Sequence, residues 1–203
     1  MPDTRVLLVR HAEAVCNVEG TFVGHETCKG LTPRGHRQCA TVADRVALLC
    51  AMDGDVVLVS SQMKRAVQTA DAIAVRMDRT ERLPPSCGLC ERHPGALAGA
   101  TRPRVRELDE RGELPPDTES MPAFLLRVRR ELRRVVATCA GRTVVVVTHA
   151  GVITASFWVF GGVSSRLPFR VQPDNGSLTE WSTDPGRSDV WWLRRYNDVS
   201  APP

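Results

Sequence analysis

Three short apolar runs punctuate the chain: Arg5–Val9, Asp55–Val59 and Thr143–Thr148. Val and Leu fill them on both faces instead of alternating with polar residues. That is the pattern of strands buried in a parallel sheet with helices on either side. The segments between them repeat apolar residues at helical spacing. Thr32–Pro33 supplies a cap and a first-turn proline for a helix reaching about Cys50. Ser61 is placed to cap a second helix through about Met77, with Ala66, Ala70, Ile73 and Ala74 on one face. A third, about Ser120–Cys139, puts Phe124, Val128, Leu132 and Val135 on one side, and Gly151 to about Phe160 reads as a fourth.

This alternation predicts an α/β fold: a three-layer α/β/α sandwich around a doubly wound, mostly parallel sheet, in a single domain spanning 1–203. A further strand is expected at about Arg82–Cys87. Ser177–Thr183 and Val190–Tyr196 are expected to pair as an antiparallel hairpin at the sheet edge. The Pro-, Gly- and Arg-rich stretch Pro84–Pro116 reads as an excursion over one end of the sheet, with about 94–117 as a short lid that sets specificity.

Composition narrows the picture. At 203 residues, 42% hydrophobic and 25% charged, the chain is neither disordered nor fibrous. A chain of this length buries about 70% of its unfolded surface. No apolar run reaches the ~18–20 residues that span a bilayer. The net charge of +4 is modest and spread out, which argues weakly for anionic ligands and against a dedicated nucleic-acid binder. The Arg-rich helix, with Arg127, Arg129, Arg130, Arg133 and Arg134, reads as a solvated face. Met1–Arg5 leads straight into a strand with no signal-peptide plan, so a cytoplasmic location is expected. Seven scattered Cys are then read as reduced thiols. Cys87 and Cys90 form a Cys-x-x-Cys pair, but with no second pair in the sequence neither zinc nor redox use is expected. Likewise His25, His36 and His93 read as ordinary surface or loop histidines.

In open α/β sheets, ligands bind at the carboxyl ends of the strands. Here three strands end in basic or imidazole residues: Arg10–His11, then Ser60–Ser61 leading to Lys64–Arg65, then Thr148–His149. If these strands are neighbours, two imidazoles and at least one guanidinium meet at one rim. Such a cluster suits a phosphoryl group. Guanidinium grips phosphate oxygens bidentately, and an unprotonated imidazole nitrogen can attack phosphorus. The leaving alkoxide needs a proton from a nearby carboxylic acid, and the sequence offers Glu91, in the loop after the strand expected at about Arg82–Cys87.

These residues carry a resemblance. The chain is similar to the histidine phosphatase superfamily, also called phosphoglycerate mutase-like, and within it to the small phosphatases. The matching pieces are Leu7–Glu13, Asn17, Phe22–Gly24, Leu31–Gly35, Ser60–Ala66, Gln68–Ala70, Glu91–Arg92, Thr118–Ser120, Thr148–Gly151 and Asn175–Ser177, in order across almost the whole chain. The resemblance implies that His11 is the nucleophile that becomes phosphohistidine. It implies that Arg10, Arg65, His149 and Asn17 hold the phosphate and that Glu91 is the proton donor. Gly24 and Arg92 are candidate substrate contacts, Arg92 equally a salt-bridge partner. No metal and no cofactor are implied, in keeping with the lack of a carboxylate cluster of Mg²⁺ spacing.

Two departures separate the chain from the mutases it otherwise resembles around Leu89–Gly99. The mutases' Tyr is Pro94 here, and their long insertion is reduced to about Ala100–Asp117. The expectation is therefore hydrolysis of a small phosphorylated metabolite, with mutase-type transfer and an inactive binding module of the same fold as the alternatives. Arg102, Arg104 and Arg106 are expected in a solvated loop, or else reaching a second anionic group. Neither a membrane nor a nucleic acid is an expected partner, and the oligomeric state stays open, a homodimer included.

Overall fold

The computed structural model describes residues 3–78, 80–164, 171–184 and 186–199, so Met1 and Pro2 of the N-terminal stretch lie outside it. Its elements run β1 (Arg5–Arg10), α1 (Val15–Glu19), α2 (Pro33–Leu49), β2 (Val56–Ser60), α3 (Lys64–Arg76), β3 (Glu81–Arg82), α4 (Arg102–Glu110), α5 (Met121–Thr138), β4 (Thr143–Thr148), α6 (Ala150–Val159), β5 (Leu178–Asp184) and β6 (Arg187–Asp198). The six strands form one sheet in the order β3-β2-β4-β1-β5-β6. β3, β2, β4 and β1 pair in parallel; β5 and β6 join antiparallel and make the predicted edge hairpin.

The strand pleat sorts the apolar runs between two layers. Leu7, Val9, Val56, Leu58, Val145 and Val147 pack with Val42, Val46, Ala66, Ala70 and Ile73 of α2 and α3. Their alternates Val6, Leu8, Val57, Val59, Val144 and Val146 pack with Phe124, Val128, Leu132, Val135, Val152 and Ile153 of α5 and α6. Period-two alternation between two apolar faces is why these strands read as continuous hydrophobic runs. The result is the expected three-layer sandwich.

Caps behave as their sequences suggest at two helices. Thr32 accepts a hydrogen bond from the Gly35 amide at 2.9 Å, and Ser120 accepts one from Ala123 at 3.3 Å. Three expectations need correction. Ser61 does not cap α3; it continues the strand end, its amide bonded to the Val147 carbonyl at 2.9 Å, and the helix starts at Lys64 behind Met63. The strand expected over Arg82–Cys87 is only Glu81–Arg82, because Pro84 and Pro85 lack the amides a parallel partner needs. Finally, Arg102, Arg104 and Arg106 lie on helix α4 and not in a loop; Val105 and Leu108 anchor its inner side. Among the described residues no helix is long and apolar enough to cross a membrane. All seven cysteines are unpaired thiols.

Candidate active site

Parallel pairing of β2, β4 and β1 brings their carboxyl ends side by side, and the ladder continues past them. The His11 amide donates to the Thr148 carbonyl at 2.9 Å, so His11 sits beside the His149 turn. From the other side, the Asn175–Ser177 turn holds the same backbone: the Gly176 amide donates to the Arg10 and His11 carbonyls at 3.1 and 3.2 Å, and Asn175 Nδ2 to the His11 carbonyl at 3.1 Å. Arg10, His11, Arg65 and His149 are buried, and the two imidazole centroids lie 5.1 Å apart.

Arg65 organises the cluster. Its Nε donates to His11 Nε2 at 3.0 Å, Nη1 to Cys28 Sγ at 3.3 Å and Nη2 to His149 Nδ1 at 3.1 Å. A guanidinium can only donate, so both of those ring nitrogens must be lone-pair acceptors. The His11 proton then resides on Nδ1, which donates to the Ala12 carbonyl at 2.7 Å. For His149 the proton resides on Nε2 and goes to Ser61 Oγ at 2.8 Å, leaving the Ser61 hydroxyl to donate to Cys90 Sγ at 3.2 Å. Burial, and after it the charge of Arg65, pushes both histidines well below the usual imidazole range. Both are neutral near pH 7.

The pocket has an appetite for negative charge. Burial, with Arg102 and Arg65 near, pulls the Arg10 guanidinium down from its ordinary value, and its Nε is buried without a partner. Its Nη1 donates to the Pro173 carbonyl. A buried, orphaned donor among cations is stabilised by an anion. Arg102, at the first turn of α4, bears electrostatically on both Arg10 and His11. Asn17 lies near, but its Oδ1 accepts from the Ala14 amide at 2.9 Å and from Asn175 at 3.1 Å, so only its Nδ2 can face an anion.

Glu91 reaches the amino end of α6. Its Oε2 accepts from the Gly151 amide at 3.1 Å. A Cβ at Gly151 would stand 2.2 Å from Glu91 Oε1, so the glycine is what lets the carboxylate in. The loop carrying Glu91 is clamped by Arg127, which donates to the carbonyls of Cys87, Gly88, Cys90 and Glu91 while pairing with Glu119 at 2.7–2.8 Å. Arg127 thus leaves the solvated face assigned to it: it flanks the apolar stripe of α5 and turns inward. Its sequence signal is its spacing, three residues after Phe124 and one before Val128, at the edge of the buried stripe.

The two candidate substrate contacts are otherwise engaged. Arg92 is buried, forks onto Asp109 of α4 at 2.6 and 3.1 Å and also donates to the Glu119 carbonyl, the salt-bridge reading left open by the sequence. Gly24 packs against Pro94, whose Cγ would lie 3.1 Å from a Cβ there. Together with His25, Glu26 and Thr27 it faces His93, Pro94, Gly95 and Ala98 across an open cleft of about 260 Å³.

A family model described as the histidine phosphatase superfamily (branch 1) matches residues 6–199. Phosphoglycerate mutase-like protein 4 of Arabidopsis thaliana is 28% identical, over 96% of this chain and 85% of its own. A metal-independent phosphoserine phosphatase of the same plant is 27% identical, over 98% and 90%. A phosphoserine phosphatase mutant from Entamoeba histolytica, solved in complex with phosphoserine, superposes with a TM-score of 0.75 at 23% identity, covering 96% of each chain.

Proposed function

The chain belongs to the histidine phosphatase superfamily, branch 1, and from that premise we propose that it hydrolyses a small phosphorylated metabolite through a phosphohistidine on His11. The observation that carries this reading is the tautomer of His11: Nδ1–H is spent on the Ala12 carbonyl, and the Nε2 lone pair faces the guanidinium of Arg65.

An incoming phosphomonoester takes Arg65 and Arg10 as partners for its non-bridging oxygens, with Asn17 Nδ2 at the margin; His149, whose Nδ1 is freed as Arg65 turns to the anion, joins them as a donor by taking up a proton there from solvent. Drawing the guanidinium onto the anion uncovers Nε2. That lone pair attacks phosphorus, the N–P bond forms, and the bond from phosphorus to the ester oxygen breaks. Protonated Glu91 gives its proton to the departing alkoxide. In the second step Glu91, now a carboxylate, takes a proton from water. The water oxygen bonds to phosphorus, the N–P bond breaks, and inorganic phosphate leaves with His11 restored. Charge on the phosphoryl oxygens is met by guanidinium and imidazole donors, so no step calls for a metal ion. Named relatives act on phosphoserine, and Arg102 supports a substrate with a second anionic group near the phosphate.

The test is phosphate release from p-nitrophenyl phosphate and a panel of sugar, nucleotide, glycerate and amino-acid phosphates with chelator present. Chelator-resistant release is expected, with an acid-labile phosphoenzyme trapped on rapid quenching. His11→Ala is expected to lose at least about 10³-fold, as removal of a nucleophile does; substantial release by that variant overturns the covalent route. Return of the phosphoryl group to substrate in place of transfer to water would identify mutase chemistry instead.

A further inference from the structure

The Cys-x-x-Cys pair acquires partners that its sequence neighbours do not reveal. His25, on the loop facing the acid loop, brings Nε2 to 3.6 Å from both Cys87 Sγ and Cys90 Sγ. The three ligand atoms lie within 4.8 Å of one another, the one such convergence of three or more His, Cys, Asp or Glu groups among the described residues. His93 brings its Nε2 to 3.4 Å from Cys87 Sγ, its ring 6.0 Å from that of His25.

The spacing has a chemical meaning. Two thiol sulfurs and two imidazole nitrogens are a tetrahedral ligand set for a borderline-soft divalent ion. With metal–sulfur bonds near 2.3 Å and metal–nitrogen bonds near 2.0–2.1 Å, a tetrahedron has sulfur–nitrogen edges of about 3.5 Å. The three sulfur–nitrogen separations, 3.4, 3.6 and 3.6 Å, fall on that edge. Supporting contacts are in place as well. Ser61 Oγ donates to Cys90 Sγ at 3.2 Å, and Arg127 Nη1 fixes the turn through the Cys87 and Cys90 carbonyls at 2.9 and 3.1 Å.

We propose that His25, Cys87, Cys90 and His93 form a structural zinc site that ties the 22–27 loop to the loop bearing Glu91. Binding displaces the two thiol protons and leaves a site with no net charge, since two thiolates balance Zn²⁺. Rotation of the His93 ring toward the ion fills the fourth position. With four protein ligands there is no open position, so the ion does not act on substrate. It acts on Glu91, the residue that follows Cys90, and through Cys90 on the Ser61–His149 contact.

The experiment uses the full chain, purified under reducing conditions, stripped with chelator and reloaded with Zn²⁺ or Co²⁺. About one zinc per chain is expected to survive gel filtration, the melting temperature to rise with free zinc, and the Co²⁺ form to show a thiolate charge-transfer band. His25→Ala and Cys87→Ser are expected to weaken metal affinity by at least about 10–100-fold, the cost of losing even an outer contact to a site. His25 is exposed, so its variant keeps the fold if Cys87→Ser does not. Failure to retain zinc, retention unchanged in His25→Ala, or a Cys87–Cys90 disulfide in place of metal under the same conditions would each overturn the proposal. None of these readouts depends on phosphatase activity.

Discussion

The pocket of imidazoles and guanidinia and the loop that carries Glu91 meet at one rim, yet they are held by opposite means. Arg10, His11 and His149 are fixed by main chain: three parallel strands end in register, and amides of one strand bond carbonyls of the next. The Glu91 loop has almost no such ladder. After the two-residue β3, its main-chain carbonyls are gathered by side chains, four by Arg127 and that of Leu89 by Thr148, and α4 is held to it by another, Arg92 on Asp109. A group built by register is hard to move; a group built by side chains moves with one substitution. On the proposed mechanism, the nucleophile belongs to the rigid half and the proton donor to the adjustable half.

The sharpest way to break this contrast acts on the adjustable half. Glu91→Gln is expected to slow turnover of alkyl phosphates by about 10²–10⁴-fold, the usual worth of a positioned acid. The loss with p-nitrophenyl phosphate should be smaller, because that leaving group needs little protonation. Equal losses on both substrates would remove Glu91 from the acid role. Next in size, Gly151→Ala places a methyl where Glu91 Oε1 now sits. Displacing the carboxylate by about an ångström should cost up to about 10²-fold on alkyl esters and little on the activated one, with a small fall in melting temperature because the methyl also comes 3.1 Å from Phe124 Cζ.

Arg127→Ala tests the clamp itself. Its pair with Glu119 is mostly shielded from water, and four carbonyls lose their donor, so a destabilisation of about 2–3 kcal/mol is expected in denaturant titration. If the contrast holds, the same variant mimics Glu91→Gln in substrate preference while still forming the phosphoenzyme from p-nitrophenyl phosphate. Acidification is the gentlest probe and reports on the rigid half. His11 and His149 are held neutral in the fold, their proton affinity lowered by burial and by Arg65. Below about pH 6.5 the unfolded chain takes up protons that the folded chain refuses. Stability contributed by these two groups is therefore fully present above that pH and declines as pH falls toward their folded values. His149→Gln should flatten that decline, as urea midpoints from pH 7.5 to 5 will show.

The same division explains what could be read in the sequence. Arg10, His11, Arg65 and His149 were legible because strand ends and helix starts are local signals, and parallel pairing does the rest. Glu91 was legible through the motif around it. The clamp was only half legible: spacing puts Arg127 at the edge of the Phe124–Val128–Leu132 stripe, away from Arg130 and Arg133, but names none of the loop carbonyls it reaches. His25 and Cys87 were hidden, since 62 positions separate them and only the folded loops bring the sulfur to the ring. Ser61 misled as a cap because a serine ending a strand and one starting a helix have the same neighbours in sequence.

Arg65 Nε rests on the Nε2 lone pair of His11, so in the proposed mechanism the resting nucleophile is covered by the cation that the substrate's phosphate would claim. An uncharged electrophile has nothing to offer that guanidinium and finds the nitrogen occupied. An oxyanion draws the cover aside in the act of docking. On that mechanism the pocket would sort its visitors by charge before shape is consulted, and His11 would stay latent toward neutral acylating and alkylating compounds.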